Sequence, residues 1–181
     1  MSLGVARVEY PRPALRPVHR EPEPAFALMK PRKLVIGLGN PCRGDDAVGL
    51  LLARRLKLTG LAGWAVVEIE ADGTALLELW RGAAAVIVID AGRSGAPPGT
   101  IHRLDARTQP IPRQLTLSSS HAVGLAEAIG LARVWNELPP KLLVFAVEGC
   151  NFAAGAPLSP AVEAAVDRVL ECVRREAEQI M

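Results

Sequence analysis

The chain alternates between short runs of apolar residues and longer stretches in which apolar positions recur with helical spacing. Residues 33–39 form an apolar run long enough for a strand buried on both faces. The run breaks at Gly37 and Gly39 and turns through Asn40-Pro41. A helical period then begins, with Ala47, Val48, Leu51, Leu52 and Leu56 on one face of a helix over 45–58. Gly60 and Gly63 turn the chain into a second strand over 65–71, in which Glu68 and Glu70 mark a wetter face. A short helix over 75–81 leads to a third strand over 84–90. That strand is continuously β-branched or small and ends on Asp90, the composition of a central strand.

Beyond Asp90 the pattern loosens. A loop with Pro97-Pro98 precedes an alternating edge strand over 100–104 that carries His102. Residues 108–117 read as a loop because of Pro110 and Pro112. Ser118-Ser119-Ser120-His121 opens a helix over 122–135, and Pro139-Pro140 separates it from a strand over 141–148. After a loop over 149–157, Ser159-Pro160 starts the final helix, which runs to about residue 179 with Val162, Ala165, Val166, Val169, Leu170 and Val173 as its buried stripe. Strands and helices alternating at this spacing predict a three-layer α/β sandwich, a mostly parallel five-stranded twisted sheet with helices on both faces. The short return after the third strand predicts an antiparallel edge at 100–104.

Composition changes this picture at the amino end. Residues 1–30 hold Pro11, Pro13, Pro17, Pro22 and Pro24 among scattered charges, as expected of an extended, poorly ordered tail, and leave a single α/β domain over 31–181. The formal charge of +2 misleads, because residues 1–33 carry seven Lys/Arg against three Glu. The rest is slightly acidic, which argues against nucleic acid as a partner. Cys42, Cys150 and Cys172 are widely spaced and odd in number, so neither a disulfide framework nor a structural zinc site is expected. That thiol usage, with no apolar run of membrane-spanning length and no secretory leader, points to the cytoplasm.

Ligands of an open parallel sheet bind outside the carboxyl ends of its strands. Asp46 follows the first strand, Asp90 ends the third, and His121 opens a helix in the segment returning from the edge strand. Together they form a three-ligand N/O set with open positions, suited to a divalent transition metal. Two of them have a structural alternative, Asp90 capping a turn and His121 capping a helix, while Asp45 beside Asp46 is placed to serve as an N-cap. Gly37-Leu38-Gly39 lacks the third glycine of a dinucleotide loop. Ser118, Ser119 and Ser120 lie beside His121 but outside any nucleophile elbow, which favours capping. Cys42 in the first loop and Cys150 after the strand over 141–148 are candidate thiols near the same rim, and Glu148 and Asn151 are candidates to line it. His102, on an exposed strand, reads as a surface residue.

The ordered set Gly37-Leu38-Gly39-Asn40, Gly44-Asp45-Asp46-Ala47-Val48-Gly49, Asp90-Ala91 and Ser120-His121-Ala122-Val123-Gly124-Leu125 resembles the hydrogenase maturation proteases. Gly73-Thr74, Glu148-Gly149 and Leu158-Ser159-Pro160 follow in the same order. The resemblance implies a cytosolic endopeptidase that removes a C-terminal extension from a nickel–iron hydrogenase large-subunit precursor after nickel insertion. It also implies metal contact through Asp46, Asp90 and His121, with the nickel arriving in the precursor rather than as a permanent prosthetic metal. A non-cleaving, nickel-dependent checkpoint module would need the same three ligands. Peptidyl-tRNA hydrolases share the opening Gly-Leu-Gly-Asn-Pro, but the Tyr and His-Asn pair they need soon after are replaced here by Cys42-Arg43-Gly44-Asp45-Asp46. Neither the proline-rich tail nor Cys42 belongs to the family pattern.

Overall fold

The computed structural model describes residues 32–70, 73–117 and 124–180. Its elements are β1 (Lys33–Leu38), a 3-10 turn (Gly44–Ala47), α1 (Val48–Thr59), β2 (Ala65–Ile69), α2 (Gly73–Trp80), β3 (Ala85–Arg93), β4 (Ile101–Asp105), β5 (Thr116–Leu117), α3 (Leu125–Val134), β6 (Lys141–Glu148) and α4 (Pro160–Gln179). The expected tail over residues 1–30 lies outside the described residues.

The sheet runs in the order β2-β1-β3-β6-β4, with β5 paired to β3. The pairs β1–β2, β1–β3 and β3–β6 are parallel, and β4 is the antiparallel edge, lying against β6. The chain crosses from β1 to β2 on one side and then returns past β1 to β3 on the other. The crossover direction therefore reverses between β1 and β3, and the ends of these two strands flank the crevice where such sheets take their ligands.

Two expectations are corrected. Among the described residues the sheet has six strands rather than five, because Thr116–Leu117, expected within a loop, pairs antiparallel with β3 (Gly92 opposite Leu117). A two-residue strand is too short to show a period. Asp90 is also not the last residue of its strand, since β3 continues to Arg93 between β6 on one edge and β5 on the other.

Alternation of side chains along the strands divides the core into two layers. Val35, Ile87, Ile89, Leu143 and Phe145 pack with α1 and α4, whereas Ile36, Val86, Val88, Leu142 and Val144 pack with α2 and α3. The start of α1 presses onto the strand ends: a Cβ at Gly49 would lie 2.2 Å from the Leu38 carbonyl oxygen and 2.4 Å from that of Ile89. Only a residue without a side chain permits this approach, and it brings the helix entrance to the tips of β1 and β3.

Candidate active site

Asp46 and Asp90 converge at this crevice. Asp46 sits in the 3-10 turn between β1 and α1, and its backbone is seated from below. The Asn40 N–H donates to the Asp46 carbonyl at 3.3 Å. Gly39, with φ of +147°, lies so close that a Cβ would meet that carbonyl oxygen at 1.9 Å. By alternation with Val86 and Val88, Asp90 points to the α2/α3 face of β3. Both carboxylates are buried, 0 % and 1 % exposed.

Their electrostatics follow from that burial. Desolvation first, and then the neighbouring Asp46 charge, push the Asp90 carboxyl well above the usual carboxylate range; the Ala91 N–H, donating to Oδ1 at 2.8 Å, opposes them. On its outer side, Asp46 Oδ2 faces the Arg43 guanidinium at 3.7 Å. The arrangement is an acidic pair under mutual repulsion, with a half-exposed cation at its rim.

Asp45 does something other than what its position in the sequence suggests. It caps neither the 3-10 turn nor α1, which begin on Arg43 and Ala47 without side-chain capping bonds. Its carboxylate instead reaches across to the loop between β6 and α4. Oδ2 accepts from the N–H groups of Cys150 and Asn151, both at 2.8 Å, and from the Ser159 hydroxyl at 3.0 Å, while Oδ1 accepts the Ser159 N–H at 2.6 Å. Burial alone would raise this carboxyl, but the bonds from Ser159, Asn151 and Cys150 outweigh it and hold Asp45 below its ordinary range.

A second acidic centre, of which the sequence offered Glu148 but not its partners, lies at the same end of the sheet. Glu148 Oε1 accepts the N–H groups of Ser94 and Gly95 at 2.7 and 3.0 Å. Its Oε2 accepts the Ser94 hydroxyl at 2.8 Å and faces His102 Nε2 at 3.0 Å. His102 is thus a buried carboxylate's partner, 23 % exposed in its side chain, rather than a plain surface residue. The Ser94 hydroxyl also lies on Nε2, at 3.3 Å. Serine and carboxylate share one ring nitrogen, whereas a catalytic triad needs them on opposite nitrogens. The cluster therefore clamps the β3–β4 connection. The hydrogen bonds bring Glu148 below its ordinary range despite desolvation, so it is a consumed acceptor rather than a groove-lining group.

Of the remaining candidates, His121 and Ser118, Ser119 and Ser120 lie outside the described residues. Cys42 and Cys150 are exposed, on the two loops that Asp45 ties together. Asn151 contributes its backbone to that tie, and its side-chain oxygen accepts the Ala153 N–H at 3.2 Å. Among the described residues no three His, Cys, Asp or Glu side chains converge on a metal position. Asp46 and Asp90 are two of the three expected ligands, and the third, His121, is not among those residues.

Fold and rim together define a three-layer α/β protein whose site is a buried acidic pair at the carboxyl ends of its parallel strands. Known proteins resemble this chain in sequence and in fold. The hydrogenase maturation protease family, HycI, matches residues 48–176. The hydrogenase 2 maturation protease of Escherichia coli strain K12 is 33 % identical over 148 residues, covering 78 % of this chain and 88 % of that protein. The hydrogenase expression/formation protein HupD of Rhodobacter capsulatus is 29 % identical over 156 residues, covering 83 % of this chain and 73 % of its own length. Among solved structures, the hydrogenase maturating endopeptidase HybD of E. coli superposes with a TM-score of 0.64 at 26 % identity, over 82 % of this chain and 93 % of that one.

The chain belongs to the hydrogenase maturation protease family. It is an endopeptidase that processes a hydrogenase large subunit. Among its described residues no helix is long and apolar enough to cross a membrane.

Proposed function

We propose that this endopeptidase acts in the cytoplasm and removes the C-terminal extension of a nickel–iron hydrogenase large-subunit precursor only after nickel insertion. In this reading Asp46, Asp90 and His121 contact the nickel, which belongs to the substrate rather than to the protease. The observation that carries it is the pair of buried carboxylates set against each other at the strand-end crevice. A divalent cation relieves their repulsion and offsets their burial, so the site favours a precursor that brings one. A precursor without nickel would meet only an acidic pocket. Support for including His121 comes from its described flank: Leu117 pairs with Gly92, two residues beyond Asp90. A metal held there would polarise the scissile carbonyl or lower the pKa of a water.

The test is a processing assay on nickel-loaded and nickel-free precursor, with the large-subunit mass followed over time. Loss of a C-terminal peptide from the loaded form alone is the expected result, and His121→Ala should stop it without disturbing the fold. Equal cutting of both forms, or loaded precursor bound but left whole, would overturn the nickel-gated reading.

A further inference from the structure

Asp45 and Asp46 are adjacent, and the hydrogen bonds of the first fix the place of the second. The turn that carries Asp46 has local backbone bonds, from the Asp46 N–H to Arg43 O at 3.1 Å and from the Asn40 N–H to Asp46 O at 3.3 Å, and no capping side chain at its start. What anchors it is the loop between β6 and α4. Besides the four bonds accepted by the Asp45 carboxylate, the Asp45 N–H donates to Asn151 O at 2.8 Å, and the Gly155 N–H donates to Cys42 O at 2.7 Å. The Ser159 that donates twice to Asp45 is also the N-cap residue of α4, whose stripe is locked into the core by Val162, Val166 and Val169. The tie therefore runs from the start of α4 to the turn beside Asp90. Two buried acidic side chains on facing elements repel, and a turn without such a tie would relax away from β3.

We propose that Asp45 is a positioning residue that holds Asp46 against Asp90, so that the pair discriminates a nickel-loaded precursor from an empty one. This rests on the reading of Asp46 and Asp90 as nickel contacts. Asp45 itself touches no substrate. A carboxylate is required at this position because backbone N–H groups, which cannot accept, meet both of its oxygens. An asparagine keeps the shape, but its amide nitrogen must oppose one set of N–H groups.

The experiment measures the affinity of the full chain for nickel-loaded and nickel-free precursor, using cleavage-arrested mixtures at a temperature well below unfolding. The wild type is expected to prefer the loaded form by about tenfold or more. Asp45→Asn should bring that preference to within about threefold, and leave affinity for the nickel-free form within about twofold. Asp46→Asn should do the same, and the double variant should show no further loss, because the first acts through the second. Ser159→Ala, which removes only the hydroxyl donor, should lower the preference by about two- to threefold, and it decides the matter if Asp45→Asn does not fold. An Asp45→Asn chain that keeps the full preference overturns the proposal and leaves the nickel reading intact. So does one that weakens binding to both forms equally, as a purely structural role would. A wild type with no preference overturns the nickel reading and this proposal with it.

Discussion

Asp45 and Asp90 are both closed off from solvent, Asp90 the more deeply, and their surroundings drive them in opposite directions. Asp45 receives four hydrogen bonds and titrates below its ordinary range; Asp90 receives one, faces another acid, and titrates above it. An acid whose folded pKa is raised loses stability as pH climbs from its unfolded value through its folded one, so at neutral pH Asp90 is a net burden on the fold. Asp90→Asn should therefore melt higher than the wild type, about 2–4 °C for each kcal/mol relieved. The same change should slow precursor processing by about a hundredfold or more. Calorimetry alongside the mass assay checks both, and a variant that melts lower would contradict the reading of Asp90 as strained. Asp46 and Asp90 were legible as candidates because one opens the helix that follows the first predicted strand and the other ends the third. The role of Asp45 was not, since three of its four donors are backbone N–H groups more than a hundred residues away, and an N–H leaves no mark in a sequence.

At the level of elements, the strong strands and helices were readable because each buried face repeats at its own period. The misses have physical reasons. β5 is two residues long among prolines, and the true end of β3 depends on partners at both edges. The pairing of His102 with Glu148 depends on the register of β4 against β6, which no local pattern reveals. The glycines of the opening motif were legible as a break, but their purpose is contact. With backbone oxygens of both β1 and β3 within 2.4 Å of where a Cβ would stand, Gly49→Ala has nothing flexible to displace. It should cost about 1–3 kcal/mol, read as a lower urea midpoint, and it should reduce processing by shifting the turn that α1 carries. A variant of unchanged stability would mean that the helix slides freely on the strand tips.

Over the whole molecule, the buried acids Asp45 and Glu148 and the partly exposed Glu68, Asp105 and Glu176 titrate below their ordinary ranges, while Asp90 opposes them. A lowered folded pKa contributes stability that is present above the unfolded value and lost as pH falls through the folded one. Net acid destabilisation should therefore set in below the ordinary carboxylate range. The share from Glu68, Asp105 and Glu176, which pair with Arg54 and Lys57, Lys141, and Arg103 near the surface, should fade in high salt. The share from Glu148 should not. Glu148→Gln is expected to lose about 1–3 kcal/mol at pH 7 and to flatten the acid limb at any ionic strength, followed by circular dichroism.

The tie between Asp45 and Ser159 spans 114 residues. A chain emerging from a ribosome presents its amino end first, so the turn bearing Asp46 is made early and waits for its anchor. Both acids of the pair are in place along the polypeptide long before the last helix is begun. The site is finished only when that helix is, and a nascent or truncated chain ending before it carries both acids without the hydrogen bonds that tie their turn down. Competence to cut thus arrives with completion of the protease itself.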